Sequence, residues 1–298
     1  MNRIPVGTVI SQTFEFAFRR YFSLLGVLWL WMLLSLISSY FLLLPHLEDA
    51  AAGSSHFPHG LAVLAGEILQ MAIIAVNSVG VTKEALGLRE GPRFVYLAVG
   101  TAELRVLGGM LLLGLVSFVV IFALGIGGGI VIAIVAAASG DRMAMTRAIG
   151  IATPILILGI FLLLLYLWIR LSSFQTAVAV REHRFGLWRS WELSRNNFWR
   201  LLAIVLVVWI PLVALEAVLV WFMTGPALMK VIAAAAVGPE AMRAAQSQLI
   251  ASALSMSKYG MLVFLPISPI IYALMISPGA FAYRALAPSG TDAAATFD

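Results

Sequence analysis

The sequence is poor in the residues on which soluble enzymes depend. It contains no cysteine, and only 11% of its 298 residues are charged, against about 25% in soluble domains. The absence of cysteine excludes disulfide bonds and cysteine-ligated metal sites. Hydrophobic residues make up 62% of the chain, and the mean hydropathy is +1.01. This composition excludes an ordinary soluble enzyme and indicates an integral membrane protein.

Common catalytic and cofactor-binding motifs are also missing. There is no His-Glu-x-x-His or Gly-x-Ser-x-Gly pattern, and the glycine run 125–129 lacks the Gly-Lys-Ser/Thr ending of a phosphate loop. His46, His56 and His59 lie among Pro, Gly and Ser residues in a predicted loop and make a weak metal site. We therefore predict a protein that is not an enzyme and holds no cofactor or metal.

Long apolar runs predict an all-α, polytopic membrane helix bundle. A helix needs about 20 apolar residues to cross a hydrocarbon core of roughly 30 Å, and six segments qualify. The predicted spans are 21–44, 61–81, 106–124, 148–169, 201–223 and 259–283. Whether residues 125–138 extend the third span stays open. The spans form one transmembrane domain, 1–286, followed by a disordered cytoplasmic tail, 287–298.

The distribution of positive charge predicts the orientation. With the N-terminus inside, 14 of the 19 Lys and Arg residues lie in cytoplasmic segments. This bias predicts a multi-pass protein with both termini in the cytoplasm. It also explains the net charge of +5 without a nucleic-acid partner. The longest outer loop, roughly 224–257, is predicted to be one amphipathic helix begun by Gly238-Pro239-Glu240.

Residues 185–200 predict a helix lying in the headgroup plane before the fifth span. Its apolar side comprises Leu187, Trp188, Trp191 and Phe198, and its polar side Arg189, Glu192, Asn196 and Arg200. An N-terminal segment repeats the pattern, because Phe14-Glu15-Phe16 aligns with Trp191-Glu192-Leu193. The predicted membrane-interface residues are Trp188, Trp191, Glu192, Arg195, Phe198, Trp199, Glu15 and Arg19. A fainter third copy at Ala102-Glu103-Leu104 would make three parallel hairpins.

The run from Val180 to Leu202 also resembles the hallmark of a bacterial six-span family. That family is the glycerophosphoryl diester phosphodiesterase membrane domain, with its YciC-like and DUF975-like relatives. The resemblance covers nearly the whole chain in span layout, although its sharp motif has only about 20 residues. In some relatives a soluble barrel carries the phosphodiesterase, and such a barrel needs about 250 residues. We therefore expect the membrane fold here without that activity.

Two acidic residues within predicted spans are candidates for a transport path. Glu67 and Glu216 lie in the second and fifth spans, and intramembrane carboxylates are costly enough to suggest function. They are expected to be protonated, or to pair with each other, with Asn77, or with a basic residue of the outer ends. An ordinary inter-helix hydrogen bond or a water-filled outer vestibule is the alternative. Pro266 and Pro269 would break or kink the sixth span, as substrate-binding helices often are.

These features predict a non-enzymatic protein of the bacterial inner membrane. The first hypothesis is a scaffold, an accessory subunit or a factor in envelope lipid homeostasis. Its expected partners are membrane lipids, together with either another membrane protein or a second copy of the chain. The alternative hypothesis is a transporter or lipid carrier that uses the intramembrane carboxylates and the broken sixth helix. The glycine stripe Gly125, Gly129, Ala133 and Ala137 favours close helix packing, within this chain or in a homo-oligomer.

Overall fold

The computed structural model describes residues 3–43, 57–89, 96, 100–138 and 142–286. Within these residues the fold is all-α, as predicted, with ten α-helices and one π-helical turn. The helices are α1 (Val6–Arg19), α2 (Tyr21–Ser38), α3 (Phe57–Ala85), α4 (Thr101–Ala138), α5 (Arg142–Ser172), α6 (Gln175–Arg181), α7 (Gly186–Ser194), α8 (Phe198–Ala235), α9 (Pro239–Phe264) and α10 (Ser268–Leu286). The π-helical turn Ser39–Leu43 extends α2. The predicted tail, 287–298, lies outside the described residues.

Five helical segments of the described chain are long and apolar enough to cross a membrane. They are Tyr21–Phe41, Val63–Ala85, Thr101–Val135, Ile149–Arg181 and Phe198–Phe222. The predicted sixth span is instead divided, because α9 ends at Phe264 and α10 begins at Ser268. Proline explains the break: Pro266 and Pro269 supply no N–H to continue a helix, and Pro269 fits the first turn of the next one.

Two helices extend beyond the predicted ends of their spans. The third span does continue through residues 125–138, since α4 runs unbroken to Ala138. The apolar part of α8 ends at Phe222, close to the predicted end of the fifth span at 223, although the helix itself continues to Ala235. The amphipathic helix begins at Pro239, as predicted, after Gly238 turns the chain with a φ of 144°.

The apolar core occupies one end of the bundle, which we call the packed half. It is built from the start of α2, α4 and α8, the end of α3, α5 and α10, and all of α6. Its fully buried residues include Leu24, Val27, Leu28, Val79, Val81, Val106, Ile169, Phe174, Val178, Ile204, Ala273 and Ala282. Helix α1 packs on α10, where the rings of Phe16 and Phe281 meet edge to face.

Two helical hairpins extend beyond the packed half. Arm 1 comprises residues 111–138 of α4 and 142–164 of α5, and arm 2 comprises residues 210–235 of α8 and 239–264 of α9. Within each arm the two helices pack against each other. Their outer surfaces are apolar and exposed: the most apolar stretch of α4 or α5 is 0% buried, against 44% for α3. The arms therefore offer their apolar surface to lipid or to another protein.

The interfacial helix predicted over 185–200 is shorter than expected. Helix α7 ends at Ser194, residues 195–197 form a turn, and Phe198 begins α8. A similar break separates α1 from α2 at Arg20, where the backbone conformation resembles that of Asn197. The two junctions therefore share a sequence pattern and a shape. The chain does not break after Glu103, because α4 is continuous there, so the third copy lacks the interfacial helix.

Candidate functional site

A cavity of about 270 Å³ lies where the two arms leave the packed half. Six helices contribute to its walls: α3, α4, α5, α6, α8 and α10. Trp168 and Trp209 form an edge-to-face pair at one wall, with ring centroids 5.4 Å apart. We call this space the central cavity and define it by Ser78, Thr82, Trp168, Gln175, Trp209 and Tyr272.

The central cavity combines apolar walls with uncharged polar groups. Hydroxyl and amide side chains line it, and none of the described residues at its wall is charged. Gln175 is held in place because its Nε2 donates to the carbonyl oxygen of Val106 at 2.9 Å. Gly109 allows this position, since a side chain there would collide with the Gln175 amide. Such a lining suits a neutral hydrogen-bonding group better than an ion.

Asn77, a predicted site residue, lies in the packed half beside Tyr272. It is 1% exposed, and neither atom of its amide makes a hydrogen bond of accepted geometry with the described residues. The Ser277 hydroxyl, also fully buried, has no such partner either. Buried polar groups normally form hydrogen bonds. The Asn77 amide and the Ser277 hydroxyl are therefore positions at which an additional hydrogen-bonding group would be stabilising.

The break between α9 and α10 borders a second cavity of about 210 Å³. Its lining residues are Met32, Ser35, Leu36, Ser39, Leu265, Ser268 and Tyr272, so Tyr272 is shared with the central cavity. Pro269 is buried in the first turn of α10. Pro266 is exposed, and its carbonyl accepts a hydrogen bond of 2.9 Å from the Tyr21 hydroxyl. The two predicted prolines therefore lie at the break that borders the cavity, although neither of them lines it.

A cluster of neutral polar side chains lies next to this second cavity. Gln70 of α3 donates to the hydroxyls of Ser38 and Ser39 at 2.8 and 2.9 Å and to the carbonyl oxygen of Ser35 at 3.0 Å. Its own amide oxygen accepts from the Ser35 hydroxyl at 2.6 Å. The π-helical turn follows directly, and such turns are frequent at functional sites.

The two predicted carboxylates are not brought together. Glu67 on α3 and Glu216 on α8 are both exposed, and among the described residues neither forms a hydrogen bond or an ion pair. Their proposed partner Asn77 does not contact them through a hydrogen bond. The side chains of the other proposed partners, Arg147 and Lys258, lie outside the described residues. Within the described part of the chain, no hydrogen bond or ion pair joins the two carboxylates into one site.

The predicted interface residues form two environments. On α1, Glu15 pairs with Arg19 at 2.7 Å, and on α7, Glu192 pairs with Arg189 at 3.0 Å. That hydrogen bond to Glu192 raises the pKa of the Arg189 guanidinium. Trp188 and Trp199 are 72% and 76% exposed, as aromatic anchors at a headgroup layer would be.

Trp191 differs from these two tryptophans because it packs inward. Its ring stacks on the guanidinium of Arg170, with 3.6 Å between the guanidinium carbon and the ring centroid. Arg170 also donates to the carbonyl oxygen of Trp191 and to the hydroxyls of Tyr166 and Ser194. Helix α7 is therefore fixed to the end of α5 and does not lie loosely on a membrane surface.

A buried polar network, absent from the sequence analysis, closes the packed half. Glu103 accepts hydrogen bonds from the Tyr96 hydroxyl at 2.6 Å and from the Gly100 amide at 2.9 Å, and Lys83 lies 3.4 Å from it. Burial raises the pKa of the Tyr96 phenol far above its usual range, and the bond to Glu103 raises it further. The phenol therefore remains a hydrogen-bond donor at any physiological pH.

Arg170 and Gln175 were not predicted as site residues, and their sequence context explains why. Arg170 ends a long apolar run, and its charge served only to predict which segments lie in the cytoplasm. Gln175 follows it without a motif. The available signal was the spacing of Ser190 and Ser194, four residues apart on α7, because both hydroxyls donate to the Arg170 carbonyl oxygen. Such a pair on one helix face marks the side that packs against polar backbone.

Comparison with known proteins places the chain in a family. The model of a domain of unknown function, DUF7847, matches residues 4–265, and the chain belongs to that family. No curated protein and no solved structure matches it. The matched region contains α1 to α9, so the family includes both arms and the walls of the central cavity that precede α10.

Proposed function

We propose that the protein is a non-enzymatic membrane protein that takes part in lipid homeostasis by holding part of an uncharged amphipathic lipid in the central cavity. One observation carries this proposal: the cavity lies at the base of two exposed apolar arms, yet its described lining contains hydroxyl and amide groups and no charge. An amphipath needs both environments, one for its polar end and one for its acyl chains.

Energetics favour a neutral ligand over an ion. A charged group in a low-dielectric cavity is costly unless an opposite charge pairs with it, and the described walls supply none. Hydroxyl and amide groups of a ligand meet suitable partners in Thr82, Gln175 and Tyr272. A cavity of about 270 Å³ accommodates a small polar headgroup or part of an acyl chain, so most of the molecule would lie along the arms.

The proposed location is the bacterial inner membrane with both termini in the cytoplasm. The bias of Lys and Arg supports this orientation. It places the packed half, with α1 and α7, at the cytoplasmic face. We also propose, from the resemblance of residues 180–202, that the chain is related to the glycerophosphoryl diester phosphodiesterase membrane domains.

A lipid carrier is the second candidate function. The observation that favours it is the second cavity at the break between α9 and α10, because interrupted helices often frame transported ligands. Tyr272 lines both cavities. In this form of the carrier hypothesis, the lipid would pass the uncharged side chains near Tyr272 and not Glu67 and Glu216.

Native mass spectrometry of gently extracted protein tests the proposed function. We expect one lipid to be retained at fixed stoichiometry, and to be lost in Thr176→Phe and Val208→Phe, which add volume at the cavity wall. Val207→Phe is the matched control, because Val207 is the 46% exposed neighbour of Val208 on the same helix.

Two outcomes would contradict the cavity as the lipid site. One is equal lipid retention in Thr176→Phe and Val207→Phe. The other is a stoichiometric protein partner with only loosely held bulk lipid, which would favour an accessory subunit bound through the arms.

A further inference from the structure

The junction between α7 and α8 contains a buried positive charge that lacks a counter-charge. Arg170 is only 7% exposed, and no carboxylate of the described chain lies within ion-pair distance of its guanidinium. Three of its N–H groups donate to neutral oxygen atoms. A buried cation is costly without an anion, so this arrangement points to an anionic ligand from outside the chain.

A cavity of about 600 Å³ lies beside this arginine. Its lining consists of Tyr166, Arg170 and residues 195–200, and we call it the arginine cavity. Arg195 and Arg200 add two cations, and no acidic residue is found among the described lining. Arg200 donates one hydrogen bond, to the carbonyl oxygen of Ile4 at 3.2 Å, and Arg195 has no ion pair within the described residues.

The first turn of α8 adds backbone donors to the same cavity. Asn197 is its N-cap residue, but the Asn197 side chain makes no capping bond. It accepts instead from the backbone amide of Ile4, at 3.2 Å. The Arg200 amide donates to the Asn197 carbonyl oxygen at 3.0 Å, whereas the amides of Phe198 and Trp199, the first two of the helix, have no side-chain cap and are available to an anion.

The corresponding junction between α1 and α2 provides an internal comparison. There Arg19 pairs with Glu15 at 2.7 Å, and Arg20 lies 3.9 Å from Glu84. At the α7–α8 junction the nearby carboxylates, Glu182 and Glu192, are both bound by Arg189. One junction is therefore neutralised by the protein itself, and the other is not.

We propose that the arginine cavity binds a phosphate group. Three guanidinium groups and a free helix N-terminus match the several oxygen atoms and the charge of a phosphate, because guanidinium forms paired hydrogen bonds to such oxygens. This site is separate from the central cavity, and the inference goes beyond the proposed function. The phosphate belongs either to the headgroup of an anionic lipid, which the exposed Trp199 at the cavity rim favours, or to a small soluble compound.

Ligand titrations of the full-length protein test the site and separate the two sources. The protein in neutral detergent is titrated with short-chain phosphatidylglycerol, with short-chain phosphatidylcholine, and with inorganic phosphate at constant ionic strength. The midpoint of thermal unfolding, followed by tryptophan fluorescence, gives an apparent Kd. The variants are Arg195→Gln and Arg200→Gln, with the double variant Arg19→Gln/Arg20→Gln as the control at the neutralised junction.

We expect phosphatidylglycerol to stabilise the native protein more than phosphatidylcholine does. Arg195→Gln and Arg200→Gln should each weaken binding about tenfold, the loss expected for one charge-assisted hydrogen bond. The control should bind as the native protein does. Stabilisation by inorganic phosphate, lost in the same two variants, would also support the site and would assign it to a soluble ligand.

Two results would overturn the proposal. One is an equal loss of binding in the Arg19→Gln/Arg20→Gln control, which would show general attraction between charges. The other is the absence of stabilisation by both phosphatidylglycerol and inorganic phosphate. Arg170→Gln is a second variant: it should abolish binding, and if it fails to fold, the Arg195 and Arg200 variants still decide. Lipid retention in the central cavity should not change in any of them.

Discussion

The packed half and the two arms are both rich in apolar residues, yet they use them in opposite ways. Val106 and Phe174 in the packed half are 0% exposed, whereas Phe161 and Phe122 on arm 1 are each 58% exposed. High hydropathy does not predict burial here: the most apolar stretches of α4 and α5 have mean hydropathies of 2.8 and 2.5 and are 0% buried, whereas that of α3 has 1.6 and is 44% buried. The difference arises because six helices meet at one end of the bundle, whereas each arm has only two.

This contrast shows which apolar residues stabilise the fold. In the packed half, side chains gain dispersion contacts with other helices, and polar groups such as Glu103 find partners. On the arms, lipid tails provide similar contacts whether the protein is folded or not, so a side chain there contributes little to stability. Function at the arms depends on what covers them.

The largest expected difference between the two regions comes from removing one aromatic ring. Phe174→Ala leaves a void in the packed half and should lower the free energy of unfolding by about 3–5 kcal/mol. Phe161→Ala on arm 1 should lower it by less than about 0.5 kcal/mol. Thermal or denaturant unfolding in one detergent measures both. Equal losses would mean that arm 1 is also packed, against another protein chain.

A medium effect is expected where the two helices of arm 1 touch. A Cβ atom at Gly128 would come within 2.4 Å of the Leu156 side chain, whereas Gly125 and Gly129 face open space. Gly128→Leu should therefore cost about 1–2 kcal/mol through overpacking, and Gly125→Leu should cost nothing. The same unfolding measurement, together with size-exclusion chromatography, checks this. A loss of oligomer in Gly125→Leu would show that the small-residue stripe packs against a second copy.

The smallest effect is expected for the two exposed carboxylates. Glu67→Gln and Glu216→Gln should change the free energy of unfolding by less than about 0.5 kcal/mol, because neither side chain has a bonded partner among the described residues. Lipid retention should also be unchanged in both variants by native mass spectrometry. If either variant loses its lipid while it remains folded, the carrier that works through intramembrane carboxylates becomes the better explanation.

Local signals predicted the helices well and their ends poorly. Apolar runs and Gly238-Pro239 placed most elements because these preferences act over a few residues. The predicted end of the fifth span at 223 agrees with the apolar part of α8, Phe198–Phe222, but the sequence analysis did not predict that the helix itself extends to Ala235. The break at Pro266 was predicted because missing N–H groups have a local effect.

The candidate sites depended on contacts that a single sequence does not show. Ser78, Gln175 and Tyr272 meet in the central cavity although they are far apart along the chain. Glu67 and Glu216 were predicted as site residues because a carboxylate within an apolar run is rare. Whether such a side chain faces a site depends on how the helices pack, which the sequence of one helix does not show. Arg170 was overlooked for the opposite reason, since an arginine at the end of a span is ordinary.

The length of arm 2 has a mechanical consequence. The apolar part of α8, Phe198–Phe222, is about 37 Å long and fits a hydrocarbon core of roughly 30 Å with a moderate tilt. The helix then continues through Thr224–Ala235, a further distance of about 18 Å. Helix α9 returns alongside it, and Lys230 bonds to Gln248 across the pair. Arm 2 therefore holds the turn at Gly238 about 18 Å beyond the apolar part of α8, on a helix that contains Pro211 and Pro226.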